Sequence, residues 1–315
     1  MTNALVIVPS SWSDFTEELA PILTSDVEMQ FGCSAATAKS ISDISRLGLC
    51  CESIQDLNLL EILDQVKVVS FTGTGITDVL ELPIIKHRNL TICNIRDYAS
   101  VEVAEHTFAL IFGVAKRICF GDALVRRGQW FANDPWGVTL RGKTLGLLGL
   151  GSIGCEVARI GRMLGMKVVY WSRSARADVE LELGIEFVDI EHLFSTSDVV
   201  SLHLSLNAAT RGIVGRSLLQ RLPSGAILIN TARGDLVDQD ALLEALISGK
   251  LATAALDVFE NEPLPKGHAL TKLENVIFSP HVGASTSEAI MRSKVECLMN
   301  VVSFFTGVPR NVVRS

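Results

Sequence analysis

The sequence is poor in basic residues and has no cluster of them. Its 315 residues include 28 Lys and Arg against 35 Asp and Glu, which gives a formal net charge of −7. Nucleic-acid backbones are held by clustered Lys and Arg. A nucleic-acid-binding protein is therefore not expected.

Long hydrophobic runs are also missing, so no stretch is predicted to cross a membrane. The first apolar run, Ala4–Val8, has no basic region before it and is followed by Pro9. That pattern is typical of a first β-strand and not of a signal peptide. The sequence predicts a cytoplasmic protein without a membrane segment.

The seven cysteines are odd in number and include no C-x-x-C pair and no histidine at zinc-site spacing. This excludes the usual patterns of a disulfide framework and of a zinc site. We expect reduced thiols in the core, and no metal.

What the sequence does contain is a repeated alternation of short apolar runs with longer periodic segments, which is typical of βα units and a parallel sheet. The length favours two domains. In the first third, strands are predicted at Ala4–Val8, 67–71 and 90–93, and helices at 14–23 and 35–46. A largely apolar helix is predicted over 101–117, and a second helical stretch reaches residue 128. Apolar residues recur there too densely for one buried stripe, so part of the segment is expected to pack on another subunit.

From residue 143 the alternation predicts six more strands with helices between them, as in a doubly wound nucleotide-binding sheet. The predicted strands are Thr144–Leu148, Lys167–Trp171, Val199–Leu202, 226–230, Thr253–Leu256 and Val276–Phe278. A last helix is predicted to begin at Ser285, with Glu288 at capping-box spacing, and to end near residue 305. It is expected to return to the first domain.

A G-x-G-x-x-G fingerprint, formed by Gly149, Gly151 and Gly154, follows the first of these strands and opens a helix. The first glycine permits a tight turn, the second lets the backbone approach a pyrophosphate, and the third lets helix and strand pack closely. The alternative is a glycine-rich turn without a ligand. The flanking strands and helix favour dinucleotide binding.

The strand after the fingerprint is followed by Ser172 and Arg173. At the position of Ser172, an Asp or Glu usually binds the ribose 2′-hydroxyl of NAD. No carboxylate is present to repel a 2′-phosphate, and Arg173 is able to pair with one. NADP is therefore favoured over NAD. In the alternative, Arg173 is a solvated arginine beside a pocket that accepts NAD.

Three chemically useful residues follow the last predicted strands. Arg233 lies in Leu-Ile-Asn-Thr-Ala-Arg-Gly-Asp (228–235), Glu262 in Leu-Asp-Val-Phe-Glu-Asn-Glu-Pro (256–263), and His281 in Ser-Pro-His-Val-Gly-Ala-Ser (279–285). The planar fork of an arginine suits a carboxylate and a keto oxygen, a histidine can deliver a proton near neutral pH, and a glutamate can hold one ring nitrogen. Together they form a working set for reducing a 2-keto acid.

These segments resemble the signatures of the D-isomer-specific 2-hydroxyacid dehydrogenase family, and the resemblance runs nearly from end to end. It implies that Arg233 binds substrate, that His281 is the proton donor and that Glu262 tunes it. The cofactor contacts it implies, besides the fingerprint glycines, are Ser152, Ile153, Ser172, Arg173, His203, Thr231, Ala232, Asp257 and Gly283. The substrate contacts it implies are Arg233, His281 and the turn Gly73, Thr74 and Gly75, whose N–H groups would face the substrate carboxylate.

The resemblance also implies a domain plan. A Rossmann NAD(P)-binding domain with dimerisation helices, residues 98–284, is inserted into a flavodoxin-like substrate domain, residues 1–97 plus 285–315. A homodimer is expected. The predicted activity is reduction of a small 2-keto acid, glyoxylate or hydroxypyruvate first. Two alternatives are a phosphite dehydrogenase and a dinucleotide-sensing, corepressor-like binding protein.

Overall fold

The computed structural model describes residues 4–32, 41, 44–130 and 136–314. The chain divides into two compact units: a first unit of Met1–Tyr98 and Thr286–Ser315, and a second unit of Ala99–Ser285. Across the described ranges, no helix is both long and apolar enough to pass through a membrane. Each unit is built around one largely parallel sheet, as predicted.

The first unit contains a six-stranded sheet in the order β13-β5-β4-β3-β1-β2. All neighbours are parallel except β13, which is antiparallel to β5. The strands are β1 Ala4–Val8, β2 Val27–Phe31, β3 Leu47–Cys51, β4 Val66–Phe71, β5 Thr91–Cys93 and β13 Val312–Arg314. The α-helices of this unit are α1 Thr16–Leu19, α2 Thr77–Leu80, α3 Pro83–Lys86 and α11 Ser287–Phe305.

Alternate residues of β1 point to two different hydrophobic layers. Leu5 and Ile7 belong to one buried cluster, whereas Val6 and Val8 belong to another that includes Val301 of α11. A strand covered on both faces needs apolar residues at every position, which explains the unbroken apolar run. The last helix thus covers one face of the first unit's sheet.

The start of that helix differs from the prediction. The N-cap is Thr286, whose hydroxyl accepts the N–H of Ala289 at 3.1 Å, so the Ser285 cap predicted from the spacing is wrong. Ser285 instead closes a turn, since its N–H donates to the carbonyl of Val282 at 2.9 Å.

Other elements of the first unit also depart from expectation. The single helix predicted at 14–23 is replaced by the short helix α1 between the 3-10 turns Ser10–Phe15 and Ala20–Ile22, which contains Pro21. The strands β2 and β3 were not predicted. Most of the helix predicted at 35–46 falls on residues 33–40 and 42–43, outside the described residues.

The second unit contains a parallel seven-stranded sheet in the order β12-β11-β10-β9-β6-β7-β8. All six predicted strands are present, and β8 is an additional edge strand of two residues. The strands are β6 Thr144–Leu148, β7 Lys167–Trp171, β8 Glu186–Phe187, β9 Val199–Leu202, β10 Ile227–Asn230, β11 Thr253–Leu256 and β12 Val276–Phe278. The order in which successive strands are added reverses between β6 and β9, and ligands bind such sheets at this switch point.

The longest helix of the second unit, α4, packs on the sheet. Its buried residues Ala104, Phe108 and Ile111 share a cluster with Leu145 and Leu147 of β6. The helix α5 that follows has no buried residue. The helices of this unit are α4 Ser100–Ala115, α5 Ile118–Arg126, α6 Ser152–Met163, α7 Ala177–Leu183, α8 Ile190–Thr196, α9 Arg216–Leu219 and α10 Gln239–Ile247.

Candidate active site

The fingerprint forms a tight turn between β6 and α6. Gly149 has φ of +113°, a backbone conformation that residues with a side chain rarely adopt. A Cβ there would also lie 2.6 Å from the carbonyl oxygen of His203, so there is no space for a side chain. A Cβ on Gly154 would lie 2.5 Å from the carbonyl of Gly149. Gly151, in contrast, faces open space and is followed by the first residue of α6. The turn is shaped to bring an anion close to backbone N–H groups at a helix N-terminus.

His203 follows β9, next to this turn. Its Nε2 lies 2.9 Å from Ser201 Oγ, and its N–H donates to the carbonyl of Leu148 at 2.8 Å. Burial lowers the pKa of His203 to about 4, so the ring is neutral at neutral pH. His203 therefore lies beside the turn as a neutral side chain and does not offer a positive charge to a phosphate.

Ser172 and Arg173, which follow β7, differ in whether their side-chain polar groups are free to bind a ligand. The Ser172 hydroxyl donates to the carbonyl of Ser174 at 2.6 Å. Arg173 is exposed, and no described residue makes a hydrogen bond or ion pair with its guanidinium. A nearby arginine that the sequence reading left aside, Arg176, reaches the turn: its Nη1 lies 3.3 Å from the carbonyl of Leu150. Cationic groups thus stand where NAD-specific sites usually have a carboxylate.

Arg233 extends from the loop after β10, and Asn230 fixes the backbone of that loop. The Asn230 amide donates to the carbonyl of Arg233 at 2.8 Å and accepts the N–H of Ala232 at 3.0 Å. One guanidinium nitrogen, Nη1, donates to the carbonyl of Ala232 at 2.6 Å. The rest of the guanidinium has no partner in the described part of the chain, so it is free to bind an anion.

The Arg233 loop lies directly against the loop after β11. A Cβ on Gly234 would lie 2.0 Å from the carbonyl carbon of Phe259, so only glycine allows this approach. The second loop carries Glu262, whose Oε1 accepts the N–H of Phe259 at 2.9 Å. Gly234 was not predicted as a site residue, although it follows Arg233 in the quoted signature.

His281 lies after β12 and meets Glu262. Its Nδ1 is 2.6 Å from Glu262 Oε2, while its Nε2 has no partner among the described residues. The side chains are 48% and 34% exposed, respectively, so the pair remains open to a ligand. The structure therefore brings together the histidine and glutamate that the sequence singled out.

Asp257, at the end of β11, holds the His281 loop. Its carbonyl accepts the N–H of His281 at 2.8 Å, and its carboxylate accepts the N–H of Val282 at 3.0 Å and of Gly283 at 2.9 Å. Burial by itself would raise the pKa of Asp257, but bonds from His106, Ser279 and these amides outweigh it and hold the pKa well below its ordinary value. Asp257 is thus an ionised carboxylate, 1% exposed.

Two further residues of the implied cofactor set, Thr231 and Ala232, lie between β10 and Arg233. The Thr231 hydroxyl lies 3.0 Å from that of Thr107 in α4, and Thr107 in turn donates to the carbonyl of Val103 at 2.7 Å. The loop that carries Arg233 is thus hydrogen-bonded to α4, the helix that packs on the sheet.

The predicted substrate turn lies in the first unit, after β4. The carbonyls of Gly73 and Thr74 accept bonds from Ile95 at 3.4 Å and from Asn94 at 2.8 Å. No residue in the described ranges accepts from the N–H groups of Gly73, Thr74 or Gly75, so they are available to an anion.

Sequence reasoning did not identify His106 as a site residue. It lies in α4, with Nε2 at 2.9 Å from Ser279 Oγ and 3.3 Å from Asp257 Oδ1. Its place between the buried residues Val103 and Thr107 could have indicated that it faces the sheet. In the described ranges, no group of three His, Cys, Asp or Glu is arranged to hold a metal ion.

The chain is similar to known proteins over most of its length. The family model "D-isomer specific 2-hydroxyacid dehydrogenase, NAD binding domain" matches residues 108–283. The chain is 40% identical over 266 residues to a glyoxylate reductase of Aeropyrum pernix, covering 82% of this chain and 79% of that protein. It is 35% identical over 246 residues to a hydroxypyruvate reductase of Thermotoga maritima, covering 78% and 79%. A crystal structure of a glyoxylate reductase from Paecilomyes thermophila has a TM-score of 0.81 at 27% identity, covering 99% of each chain.

Proposed function

Because the chain belongs to the D-isomer specific 2-hydroxyacid dehydrogenase family, we propose that it interconverts a small 2-keto acid and the D-2-hydroxy acid, with glyoxylate or hydroxypyruvate as the keto acid. It is an oxidoreductase that acts on the CH–OH group of donors, and its second unit is an NAD-binding domain. The observation that carries the proposal is the His281–Glu262 pair, in which Nδ1 of a half-exposed ring is held and Nε2 has no partner among the described residues.

The proton is moved by His281. With Nδ1 held by Glu262 at 2.6 Å, the ring presents Nε2 to the ligand side. As a hydride reaches C2 of the keto acid, the carbonyl oxygen becomes an alkoxide and takes the proton from Nε2. In the reverse direction, the same nitrogen accepts the hydroxyl proton. The contact with Glu262 fixes which ring nitrogen of His281 makes this transfer.

Arg233 binds and polarises the substrate. The guanidinium nitrogens that have no described partner suit the carboxylate and the keto oxygen, which lie two bonds apart on a 2-keto acid. In the first unit, the free N–H groups of the turn Gly73, Thr74 and Gly75 also suit a carboxylate. The names of the relatives support glyoxylate and hydroxypyruvate as the substrates.

A dinucleotide fits the residues present, and when bound it supplies the hydride. The open face of Gly151 and the N-terminus of α6, at Ser152 and Ile153, would hold the pyrophosphate. Thr231, Ala232, Asp257 and Gly283 would line the nicotinamide side, and His203 would lie beside the turn. We further propose a preference for NADP, supported by the exposed guanidinium of Arg173 and the absence of a carboxylate there.

A homodimer is proposed on the basis of the exposed apolar surface of α4 and α5. Val101 and Phe112 on α4 are 51% and 38% exposed, and Ile118 and Val125 on α5 are 60% and 57% exposed. Large apolar residues exposed on two consecutive helices are typical of a protein interface. Light scattering after size exclusion tests this: a mass of twice 34.1 kDa is expected.

Transfer of a labelled hydride tests the proposed reaction. The protein is mixed with hydroxypyruvate and NADPH or NADH carrying deuterium at C4, in separate 4R and 4S forms. One form is expected to give D-glycerate with deuterium at C2. Unlabelled glycerate from both forms, or the L-isomer from either form, would contradict the proposal. Reduction of NAD with phosphite in place of a 2-hydroxy acid would support a phosphite dehydrogenase instead.

A further inference from the structure

A buried hydrogen-bond chain connects helix α4 to the loop of His281. It begins at His106, whose side chain is 21% exposed, continues through Ser279 after β12 and ends at the buried carboxylate of Asp257. His106 Nε2 lies 2.9 Å from Ser279 Oγ, and Ser279 Oγ lies 2.6 Å from Asp257 Oδ1. All three residues belong to the second unit.

The ionised carboxylate fixes the direction of this chain. Asp257 has no proton to give, because its pKa lies well below the ordinary value for a carboxyl group. The hydroxyl of Ser279 must therefore donate to Asp257 Oδ1. Since a hydroxyl has one proton, the oxygen of Ser279 is left to accept, and the donor to it is Nε2–H of His106. The chain runs from His106 through Ser279 to Asp257.

The far end of the chain controls the backbone of His281. That residue has φ of +54°, in the left-handed region that non-glycine residues rarely adopt. This conformation persists only where the surroundings hold it. Here the carbonyl of Asp257 accepts the N–H of His281, and the carboxylate accepts the next two amides. The carboxylate of Asp257 therefore holds the backbone segment that directly follows His281.

We propose that His106 is a positioning residue for the proton donor: from α4 it orients Ser279 and Asp257, and through them it sets where the ring of His281 lies. The inference rests on the proposed function, in which His281 moves the proton. It gives His106 a part in turnover beyond that of a packed side chain. A displacement of about 1 Å at a reacting group is enough to cost about a hundredfold in rate.

The bonds around Asp257 separate this role from a purely structural one. Without His106 the carboxylate still accepts from Ser279 and from the amides of Val282 and Gly283, so the fold does not depend on the histidine. What is lost is the donor that orients the Ser279 hydroxyl and that also lies 3.3 Å from Asp257 Oδ1. The expected consequence is a lower kcat, with little change in the binding of the keto acid by Arg233 or of the dinucleotide.

The test compares His106→Phe, which keeps bulk but removes the donor, with His106→Gln, which keeps a donor near Nε2. His192→Gln, at an exposed histidine of α8, is the matched control. Active-site concentration is set by dinucleotide titration, followed by fluorescence. For His106→Phe we expect kcat to fall at least about tenfold, with the KM of the keto acid and the Kd of the dinucleotide changed less than about twofold. His106→Gln is expected to recover kcat to within about threefold of the parent.

Several outcomes would overturn the inference. One is an unchanged kcat in His106→Phe, and another is an equal loss in the Phe and Gln variants. If His106→Phe does not fold, Ser279→Ala breaks the same chain with a smaller change and must show the same loss of kcat. Where both variants fold, their effects must not add in the double variant. An inactive parent overturns the proposed function as well, whereas an active parent with an unaffected His106→Phe overturns the inference alone.

Discussion

Glu262 Oε2 and His281 Nδ1 lie 2.6 Å apart, although the two residues come from loops after different strands. The other carboxylate oxygen, Oε1, accepts the N–H of Phe259, so the glutamate is held from both sides. A carboxylate fixed in this way determines which nitrogen of the histidine faces the ligand. The pair has the arrangement that proton transfer to a keto oxygen requires.

Replacing the proton donor is expected to stop turnover without loss of binding. His281→Gln should lower kcat at least about a hundredfold, because delivery of the proton is lost. Titration with the dinucleotide, followed by fluorescence, should give the Kd of the parent. A variant that loses binding and folded structure together would count against the assigned role.

Arg233→Lys is expected to be severe despite the conserved charge. A lysine is a point charge and cannot bond a carboxylate and a keto oxygen with one planar group. We expect kcat/KM for the keto acid to fall about 10- to 100-fold, with unchanged dinucleotide binding. Arg216→Lys, at an exposed arginine of α9, is the matched control. Parent-like kinetics in Arg233→Lys would refute the bidentate contact.

Arg173 should determine cofactor preference. Arg173→Gln removes the proposed partner of a 2′-phosphate, so the KM for NADPH is expected to rise about tenfold or more while that for NADH stays the same. The measurement is initial rate against each cofactor at saturating keto acid. Equal changes for both cofactors would show that Arg173 does not contact the 2′-phosphate.

The carboxylate of Asp257 should be essential for stability. In Asp257→Asn the amide nitrogen of the new side chain would face a backbone or hydroxyl donor, and charge-assisted bonds would be lost. We expect the free energy of unfolding in urea to fall by about 2 kcal/mol or more at pH 7. The parent itself should lose this contribution as the pH falls below about 4, because the folded pKa is depressed. An Asn variant as stable as the parent would contradict the geometry.

His203 predicts a second pH dependence. Burial lowers its pKa to about 4, against about 6.5 in an unfolded chain. Between these values the unfolded state binds more protons, so stability is full above about pH 6.5 and falls as the pH drops toward 4. The urea midpoint of His203→Gln should therefore depend less on pH across this window. An identical pH dependence in parent and variant would show that the ring of His203 is solvated and not buried.

The sequence predicted the strands and site residues whose residue types are restricted by their place in the fold or in the site. Strands β6, β7 and β9 are made mainly of apolar residues, and the residues of the site follow strand ends, so Arg233, Glu262 and His281 were identifiable. Strand β2 was missed because Glu28 and Gln30 interrupt its apolar pattern. The contacts of His106 with Ser279 and Asp257 were also beyond reach, because they join residues more than 150 positions apart.

The most direct test of the proposed reductase is the initial rate at which the purified protein oxidises NADPH and NADH. The keto acids to compare are glyoxylate, hydroxypyruvate, pyruvate and phenylpyruvate. We expect turnover with glyoxylate or hydroxypyruvate, faster with NADPH than with NADH. A preference for NADH would refute only the role of Arg173. No turnover with any of the four acids would contradict the reductase itself.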